Sequence, residues 1–467
     1  MRDDIFSLIW EASAESDTQS GYEELVTLTQ KLVNTYESQG RIVEDPLLPS
    51  RNRILSLPLD EVGDIVRGKI CLVTGGLGCV GSKLVRELLV FQPKRIVICD
   101  IRSENDSFFP IPKDDRIQLE TCSILDQEGL MEVFDRYSPQ LVFHTAAQRN
   151  PGLAEKKISN TLDLNIKGTW NLLNVCETSV SVERVVFSST GKASRYYTEE
   201  VYSASKKVCE MLMDYFSRRN PEKLFAMVRF THIVDNSLMN DELRRCAYES
   251  DRINIHSPGK FVTAQNVEEA AFLMLNGLVY SESGQCNFLL VKNLEWPVES
   301  LEVALYHIKM SGRRIPIVFV GNPLGYGEKF FRGQLDWSQS LELNLLINVY
   351  ENRVRKINSS KDIIISTLIP YDESELIDFV NRLDPQLCEV EAKNLLIASM
   401  RKIFAYSLSK VDPGITYEIL KWGISPKFLA ADNIKVSDFG VMVPLMIESL
   451  NGTERIDELM MHLEGEN

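Results

Sequence analysis

The sequence predicts an α/β fold in which a doubly wound parallel sheet is covered by helices on both faces, with a smaller mixed region and added terminal helices. From Gly68 onward, short apolar runs alternate with longer amphipathic patterns, as strands and helices do in such sheets. A glycine-rich turn separates the first apolar run from the helix after it. With 467 residues, 44% of them hydrophobic, the chain is long enough for two or three domains.

Six apolar runs are the predicted strands of this sheet: Ile70–Thr74, Arg95–Cys99, Ile117–Thr121, Leu141–His144, Arg184–Ser188 and Phe225–Arg229. Between them, apolar residues at helical spacing predict four helices, which are Ser82–Phe91, Gln127–Tyr137, Asn160–Glu177 and Tyr202–Arg218. Because strands and helices alternate regularly, we expect the strands to pair in parallel.

The pattern divides the chain into four predicted regions: a helical extension (1–52), the doubly wound sheet (53–230), a smaller substrate-binding region with later crossings back to the sheet (231–335) and a mostly helical C-terminal region (336–467). The third region contains a strand-like run at 285–291, a helical pattern at 298–310 and another strand-like run at 315–320. The proline-containing stretch 44–51 is the predicted connector before the sheet.

Charge and composition exclude several function classes. The chain has 51 Lys and Arg against 66 Asp and Glu, and the net charge of −15 repels phosphate backbones and anionic lipid surfaces. The nine cysteines form no CxxC pair and the five histidines have no metal-ligand spacing, so we expect reduced thiols and no metal. No signal peptide or membrane span is evident. We expect a cytoplasmic protein without nucleic-acid or membrane partners.

The turn after the first strand has the spacing of a dinucleotide site. Gly75, Gly78 and Gly81 allow a tight turn and a close backbone approach at the positive end of a helix. Asp100 ends the second strand nineteen residues after Gly81, where a carboxylate accepts hydrogen bonds from an adenosine ribose. Arg102 is suited to the 2′-phosphate of NADP, so NAD and NADP both stay open. The alternative is a plain strand-to-helix turn in which Asp100 is only a cap.

A second signal is the pair Tyr202 and Lys206, which are one helical turn apart. A lysine ammonium stabilises a phenolate, so we expect Lys206 to lower the pKa of Tyr202 and make it a general base or acid. The strand upstream ends in the hydroxyl residues 188–190, where a substrate oxygen can be held. The alternative is an exposed lysine beside a half-buried tyrosine, because this spacing also occurs by chance.

Together these motifs resemble the extended short-chain dehydrogenase/reductases, and more narrowly the polysaccharide-biosynthesis branch that contains nucleotide-sugar 4,6-dehydratases and epimerases. The resemblance runs from about residue 53 to about 385 and is carried by Thr74–Gly81, Val142–Ala147, Asn165–Thr169, Ser189–Ala193, Tyr202–Lys206 and Gly327–Phe330. It implies a Rossmann fold, an NAD(P)-dependent oxidoreductase, a homo-oligomer and a small-molecule substrate, namely a nucleotide sugar.

The resemblance also assigns roles to individual residues. Tyr202, supported by Lys206, would deprotonate a sugar 4-hydroxyl while Thr190 binds the same oxygen. Lys192 would be the base next to the new ketone, and Asn165 would support the active-site backbone. The implied cofactor contacts are Thr74, Gly75, Leu77, Gly78, Cys79, Val80, Gly81, Asp100, Arg102, Ser123, Ile124, Ala146, Ala147, Tyr202 and Lys206, and the implied substrate contacts are Arg149, His232, Glu328 and Lys329.

The substrate end departs from the family pattern. Gly191 stands where dehydratases of the branch have the aspartate that protonates the departing hydroxyl. Loss of such an acid costs roughly 10²–10⁴ in rate, so we expect epimerisation or ketone formation rather than dehydration. Glu199 or Glu200 could replace the acid, although both are more typical of a solvated helix start. His232 replaces a family asparagine. Two alternatives stay open: an enzyme acting on a non-nucleotide alcohol, and a catalytically decayed NAD(P)-binding scaffold.

Overall fold

The computed structural model describes residues 4–236, 238–326, 329–337 and 344–465. Its strands, in chain order, are β1 (Ile70–Thr74), β2 (Arg95–Asp100), β3 (Ile117–Thr121), β4 (Leu141–His144), β5 (Arg184–Thr190), β6 (Leu224–Phe230), β7 (His232–Ile233), β8 (Ile253–Ile255), β9 (Phe261–Val262), β10 (Ala264–Gln265), β11 (Glu282–Ser283), β12 (Asn287–Val291), β13 (Val298–Glu299), β14 (Ile317–Phe319), β15 (Lys356–Ile357) and β16 (Ile363–Ser366).

The helices of the same described residues are α1 (Ile5–Ser13), α2 (Gln19–Ser38), α3 (Leu48–Asn52), α4 (Leu59–Val66), α5 (Cys79–Val90), α6 (Gln127–Tyr137), α7 (Pro151–Lys156), α8 (Ile158–Leu162), α9 (Gly168–Thr178), α10 (Val201–Arg219), α11 (Leu238–Glu249), α12 (Val267–Val279), α13 (Ser300–Ser311), α14 (Val349–Arg353), α15 (Glu373–Arg382), α16 (Glu389–Leu408), α17 (Pro413–Gly423), α18 (Pro426–Asp432), α19 (Met442–Glu448) and α20 (Glu454–Gly465). A π-helical stretch, Asp163–Lys167, joins α8 to α9.

One compact unit contains the large sheet and comprises Leu55–Phe230, Ala271–Asn293 and Glu328–Asn467. The strand order is β15-β16-β12-β6-β5-β4-β1-β2-β3, and β11 pairs with β6. Strands β1 to β6 and β12 pair in parallel, whereas β16 is antiparallel to β12. The chain order reverses between β1 and β4. In such sheets ligands bind beyond the carboxyl ends of the strands at this point.

The central strands are almost continuously apolar because both faces of the sheet are covered. β4 and β12 are buried along their whole length, and β1 is buried after its first residue. Side-chain caps start several helices: the Asp126 carboxylate accepts the Gly129 N–H at 2.9 Å at the start of α6, and Asp372 caps α15. These local features fix the ends of strands and helices that border the site.

The other compact unit comprises Met1–Ile54, Thr231–Ala270 and Leu294–Gly327. Here β14 pairs in parallel with β8, and α1 and α2 bury their apolar stripes in a core that includes Ile9, Leu25, Leu32, Leu301, Leu305 and Ile317. The Thr29 hydroxyl accepts the Ile317 N–H at 2.9 Å. The N-terminal helices therefore have their packing partners within their own unit.

The doubly wound α/β fold is confirmed, and every predicted strand of the sheet is present with ends that differ by no more than two residues. The predicted helix 160–177 is interrupted by the π-helical stretch, and α3 forms within the predicted connector. Strands β15 and β16 were missed, because an apolar run as short as that of β16 has no diagnostic period. The two compact units combine distant segments, a division that a linear pattern does not show.

Candidate active site

The glycine turn between β1 and α5 packs directly on the backbone that follows β4. Gly75 has a left-handed φ of +67° and donates its N–H to the Cys99 carbonyl at 2.8 Å. A Cβ on Gly75 would lie 2.7 Å from the Ala146 nitrogen, and one on Gly81 would lie 2.4 Å from the Gly75 oxygen. Only glycine permits this approach without displacing the backbone.

Helix α5 begins directly after Gly78, and neither a side-chain cap nor an acidic residue is present in its described first turn. The start of a helix combines unpaired backbone N–H groups with the positive end of the helix dipole, which together favour a phosphate. Leu77, Cys79 and Val80 surround this helix start, and Thr74 ends the strand before it. The residues present therefore fit the pyrophosphate of a nicotinamide dinucleotide.

Asp100 links the end of β2 to this turn. The carboxylate is only 5% exposed and accepts the Leu77 N–H at 3.0 Å. It also accepts the Arg102 backbone N–H and Nε–H, both at 3.1 Å, and the Arg102 Nη2–H at 3.0 Å. The side chain of Arg102 is 40% exposed. The structure thus brings together both residues that bear on the choice between NAD and NADP.

The remaining predicted cofactor positions follow β3 and β4. The Ser123 hydroxyl accepts the Leu125 N–H at 3.2 Å, and Ile124 is buried. Ala146 and Ala147 are half-buried in the segment after β4. Ser123 and Ile124 lie beyond the carboxyl end of β3, and Ala146 and Ala147 lie beyond that of β4, the strand next to β1.

Tyr202 lies in the first turn of α10, near Thr190, the last residue of β5. Burial raises the pKa of the Tyr202 phenol, while the nearby Thr190 side chain and the Arg149 charge act in the opposite direction. Thr190 is 9% exposed. A hydroxyl pair therefore lies at the carboxyl end of a central strand.

The Lys206 ammonium lies against β5. It donates to the Ser188 carbonyl at 2.8 Å and sits 4.4 Å from the centre of the Phe187 ring. Burial lowers the pKa of Lys206 to about 8. The expectation that Lys206 lowers the pKa of Tyr202 is wrong in this structure, because the ammonium is directed at Ser188 and burial dominates the environment of the phenol.

Asn165 lies in the π-helical stretch, a feature that is frequent at functional sites. Its Oδ1 accepts the Gln148 N–H at 2.8 Å, and its Nδ2 donates to the Ser205 hydroxyl at 3.0 Å. The amide thus ties the loop after β4 to helix α10. The supporting role implied by the family resemblance is compatible with these contacts and stays a prediction.

Lys192 lies in the loop between β5 and α10, with its Nζ 3.3 Å from Glu200 Oε2. The same oxygen accepts from Arg195 Nη1 at 2.9 Å and from the Ser203 hydroxyl at 3.1 Å. The Glu200 side chain is 11% exposed, so it is not a solvated helix-start residue as expected. Because this oxygen already accepts from three donors, Glu200 is placed as an acceptor rather than as a substitute acid.

Leu346 fills the space that a side chain at position 191 would occupy. A Cβ on Gly191 would lie 2.5 Å from Leu346 Cγ, and Leu346 is 3% exposed. The leucine is held in place because Arg229 Nη1 donates to its carbonyl at 3.0 Å. The Ser194 hydroxyl also donates to the neighbouring Leu345 carbonyl at 2.7 Å. An apolar side chain from far along the chain therefore occupies the space beside Gly191 where a side chain would lie.

The sequence pattern that defines the polysaccharide biosynthesis protein family matches residues 71–335, more than half of the chain. The chain belongs to the polysaccharide biosynthesis protein family. The stated resemblance to this branch of the extended short-chain dehydrogenase/reductases is thereby confirmed.

The capsular polysaccharide biosynthesis protein CapD of Staphylococcus aureus is 25% identical over 328 residues, which are 67% of this chain and 53% of CapD. The chain thus spans about half the length of this relative. The dTDP-glucose 4,6-dehydratase of Salmonella typhimurium is 27% identical over 134 residues, 28% of this chain and 37% of the enzyme. The solved structure of Pen from Bacillus thuringiensis shares the fold with a TM-score of 0.55 at 20% identity, covering 64% of this chain and 89% of Pen.

In this polysaccharide biosynthesis protein the site rests on a buried ionic cluster that the sequence analysis missed. Arg229 is fully buried, with its Nη2 2.8 Å from Glu210 Oε2 and its Nη1 2.7 Å from Glu351 Oε2. The Ser189 hydroxyl donates to Glu210 Oε1 at 2.6 Å. The cluster ties β5, β6, α10 and α14 together. A charged residue within an apolar strand, as in 225–229, is the signal that could have revealed it.

His144, also assigned no role from the sequence, ends β4 within the sheet of the family fold. Its Nδ1 lies 2.7 Å from Thr74 Oγ1 and its Nε2 lies 3.0 Å from Thr169 Oγ1. Burial lowers the pKa of His144 to about 3, and the charge of Lys206 acts in the same direction. The neutral imidazole therefore joins β1, β4 and α9 beneath the site.

Of the four predicted substrate contacts, three lie within the described residues. Arg149 is exposed on the loop after β4, and its charge acts on the Tyr202 phenol. His232 lies in β7 of the other compact unit, where it is half-buried and burial lowers its pKa. Lys329 is exposed, and Glu328 lies outside the described residues. Arg149 therefore acts on a catalytic candidate of its own compact unit.

Two findings bear on other functions of this family member. Within the described ranges, no three His, Cys, Asp or Glu side chains are grouped so that they could hold a metal ion. The helices of the described part of the chain also include none with the length and apolar character needed to cross a bilayer.

Proposed function

We propose that this protein is an NAD(P)-dependent enzyme that oxidises a secondary hydroxyl, such as a sugar 4-hydroxyl, of a nucleotide-activated sugar. Epimerisation or return of the hydride then follows, without dehydration. The observation that carries the proposal is the Tyr202–Thr190 hydroxyl pair at the carboxyl end of β5, in the same sheet as the glycine turn. Supporting it, the Salmonella relative is named for a nucleotide sugar, and the family is named for polysaccharide biosynthesis.

Tyr202 and Thr190 would act on the hydroxyl that is oxidised. A nicotinamide dinucleotide, when bound, supplies the hydride acceptor. Thr190 Oγ1 would orient the substrate oxygen while Tyr202 Oη takes its proton and later returns it. Burial raises the pKa of Tyr202, so a nearby positive charge is needed to favour the phenolate. Arg149 already acts in this direction, and Lys206 is the buried cation of the same helix.

Lys192 would act on the carbon next to the new carbonyl. A carbonyl acidifies the neighbouring C–H bond, and a neutral amine at Nζ can take that proton. Burial lowers the pKa of Lys192, which makes the neutral amine easier to reach, while the Glu200 carboxylate opposes this shift and fixes the position of the amine. Water then supplies a proton to the opposite face of the carbon while Lys192 keeps the proton that it took, and return of the hydride to the carbonyl gives an epimer.

Dehydration would further require a proton donor for the departing hydroxyl. Gly191 has no side chain, Leu346 fills the adjoining space, and Glu200 Oε2 is occupied by three donors. Loss of an acid costs roughly 10²–10⁴ in rate. The reaction is therefore expected to stop at the ketone or the epimer.

The test is incubation of the purified protein with NAD or NADP and a panel of UDP-, GDP- and dTDP-sugars, followed by chromatography of the products. We expect a new sugar nucleotide with at least one substrate, formed by the wild type and not by Tyr202→Phe. No turnover, together with no thermal stabilisation by UDP, GDP or dTDP, would contradict the nucleotide-sugar part and favour a non-nucleotide alcohol. Unchanged biological activity of Tyr202→Phe would favour a decayed scaffold.

A further inference from the structure

The carboxylate that should meet the adenosine ribose is fully engaged by this chain's own donors. Asp100 Oδ2 accepts from Leu77 N and Arg102 Nη2, both at 3.0 Å, and Oδ1 accepts from Arg102 N and Nε, both at 3.1 Å. A carboxylate offers about four lone-pair sites, two on each oxygen. No acceptor site of Asp100 is therefore left for the two hydroxyls of a ribose.

Arg102, in contrast, has donors to spare at the same place. Two of the five guanidinium N–H groups are used by Asp100, which leaves three. The side chain is 40% exposed, and its Nη2 lies 3.6 Å from the point where a Cβ on Gly78 would be. The guanidinium thus stands beside the glycine turn with its remaining N–H groups available to a ligand.

Asp114 and Arg116 form a second carboxylate–guanidinium pair, with the same geometry as the Asp100–Arg102 pair but at a different position in the fold. Asp114 accepts from Arg116 N and Nε at 2.9 Å and from Nη2 at 2.7 Å. This pair precedes β3, at the opposite end of the strand from the cofactor positions, and its carboxylate receives no bond from the glycine turn. A bidentate Asp–Arg pair alone therefore does not indicate a ligand site. The position of the Asp100–Arg102 pair at the carboxyl end of β2 does.

We propose that this site takes the 2′-phosphorylated dinucleotide, NADP(H), in preference to NAD(H), and that Arg102 is the residue that determines this preference. The proposal rests on the proposed dinucleotide site. The Asp100–Arg102 pair is close to neutral overall, so Asp100 does not repel a phosphate dianion at the ribose 2′-position. The free guanidinium N–H groups match phosphate oxygens, and a charge-assisted pair is about twice as strong as a neutral hydrogen bond. A 2′-hydroxyl would gain neither the charge interaction nor a carboxylate acceptor.

The experiment uses two ligands that differ only at the 2′-position, 2′-phospho-ADP-ribose and ADP-ribose, and measures their binding to the full chain by calorimetry. Because neither ligand carries nicotinamide, binding is read without turnover. We expect the wild type to bind the 2′-phosphorylated ligand about 10-fold or more tightly, and this ratio to fall as salt is raised. Arg102→Ala should bring the two affinities within about 2-fold of each other, and Arg102→Lys should keep part of the preference.

Arg116→Ala is the matched control, because it breaks a pair of the same geometry away from the site, and it should leave the ratio unchanged. Circular dichroism on each variant shows that it is folded. Should the wild type bind ADP-ribose as tightly as its 2′-phosphorylated form, or Arg102→Ala keep the preference, the inference fails while the dinucleotide site stands. Binding of neither ligand by folded wild type overturns both the inference and the dinucleotide site.

Discussion

The cofactor end and the substrate end of the site differ in how far apart in the sequence their contacting residues lie. At the cofactor end, the glycine turn, Asp100 and Arg102 lie within one strand-helix-strand segment and bond to one another. At the substrate end, Leu346 packs against Gly191 in the loop after β5 and Glu351 pairs with Arg229 of β6, and both come from a distant part of the chain. A short motif therefore describes the first end well, whereas the second depends on contacts that no motif contains.

The largest expected effect is on Tyr202, where the two ends meet. Removing the hydroxyl in Tyr202→Phe should lower kcat with the substrate found in the panel by about 10²–10⁴-fold, because proton transfer at Oη is lost. Binding of 2′-phospho-ADP-ribose should be unchanged. Steady-state kinetics and calorimetry measure the two quantities.

Tyr215→Phe is the matched control on the same helix, where the hydroxyl accepts from Arg219 away from Thr190. This variant should retain wild-type kcat. Equal kcat values for Tyr202→Phe and Tyr215→Phe would show that the Tyr202–Thr190 hydroxyl pair is not catalytic. They would contradict the proposal that Tyr202 transfers the proton.

The next effect concerns the long-range contacts of the substrate end. Arg229→Met leaves Glu210 and Glu351 buried without their cation, so the free energy of unfolding should fall by about 3–5 kcal/mol. Arg245→Met, which breaks an exposed pair with Glu242, should cost less than about 1 kcal/mol. Denaturant unfolding measures the free energy of unfolding of each variant. Similar decreases in the two variants would contradict a supporting role of the buried ionic cluster.

A smaller effect is expected at Gly191. Gly191→Ala places a methyl group against Leu346 and should lower the free energy of unfolding by about 1–3 kcal/mol. The double variant Gly191→Ala, Leu346→Ala should be less destabilised than the sum of the two single changes, because the clash is relieved.

Gly63→Ala is its control, since a Cβ there meets nothing closer than 3.7 Å and alanine is a better helix former. Thermal unfolding of the set gives the comparison. Additive losses in the double variant would mean that Leu346 does not fill the space beside Gly191.

A pH dependence, small near neutral pH, is expected from His144, which joins β1, β4 and α9. The folded-state pKa is lowered from 6.5 to about 3, so below pH 6.5 the unfolded chain binds the proton and the folded chain does not. The stability from neutral His144 is present above pH 6.5 and is lost as the pH falls toward 3. Over this window the wild type should lose up to about 1.4 kcal/mol per pH unit more than His144→Gln. Parallel stability curves for the two proteins would contradict a buried neutral imidazole.

The same difference in range explains how much the sequence predicted. The sheet strands and the turn lie in local patterns of apolar and glycine residues, and Tyr202 was predicted from its helical spacing to Lys206, whereas Asn165 was predicted from the family resemblance alone. Strand β16 and the packing of Leu346 on Gly191 depend on where distant segments meet. Burial also reversed the expected pKa direction for Tyr202, since spacing along a helix does not show where an ammonium points.

The most direct test of the proposed reaction is the mass of the sugar product formed in deuterated water. If Lys192 exchanges the proton beside a transient ketone, the product should carry one carbon-bound deuterium in place of a hydrogen. If no acid assists a departing hydroxyl, the product should also keep every oxygen of its substrate. Loss of one water from the sugar would contradict this, because it would show that dehydration proceeds despite Gly191 and Leu346.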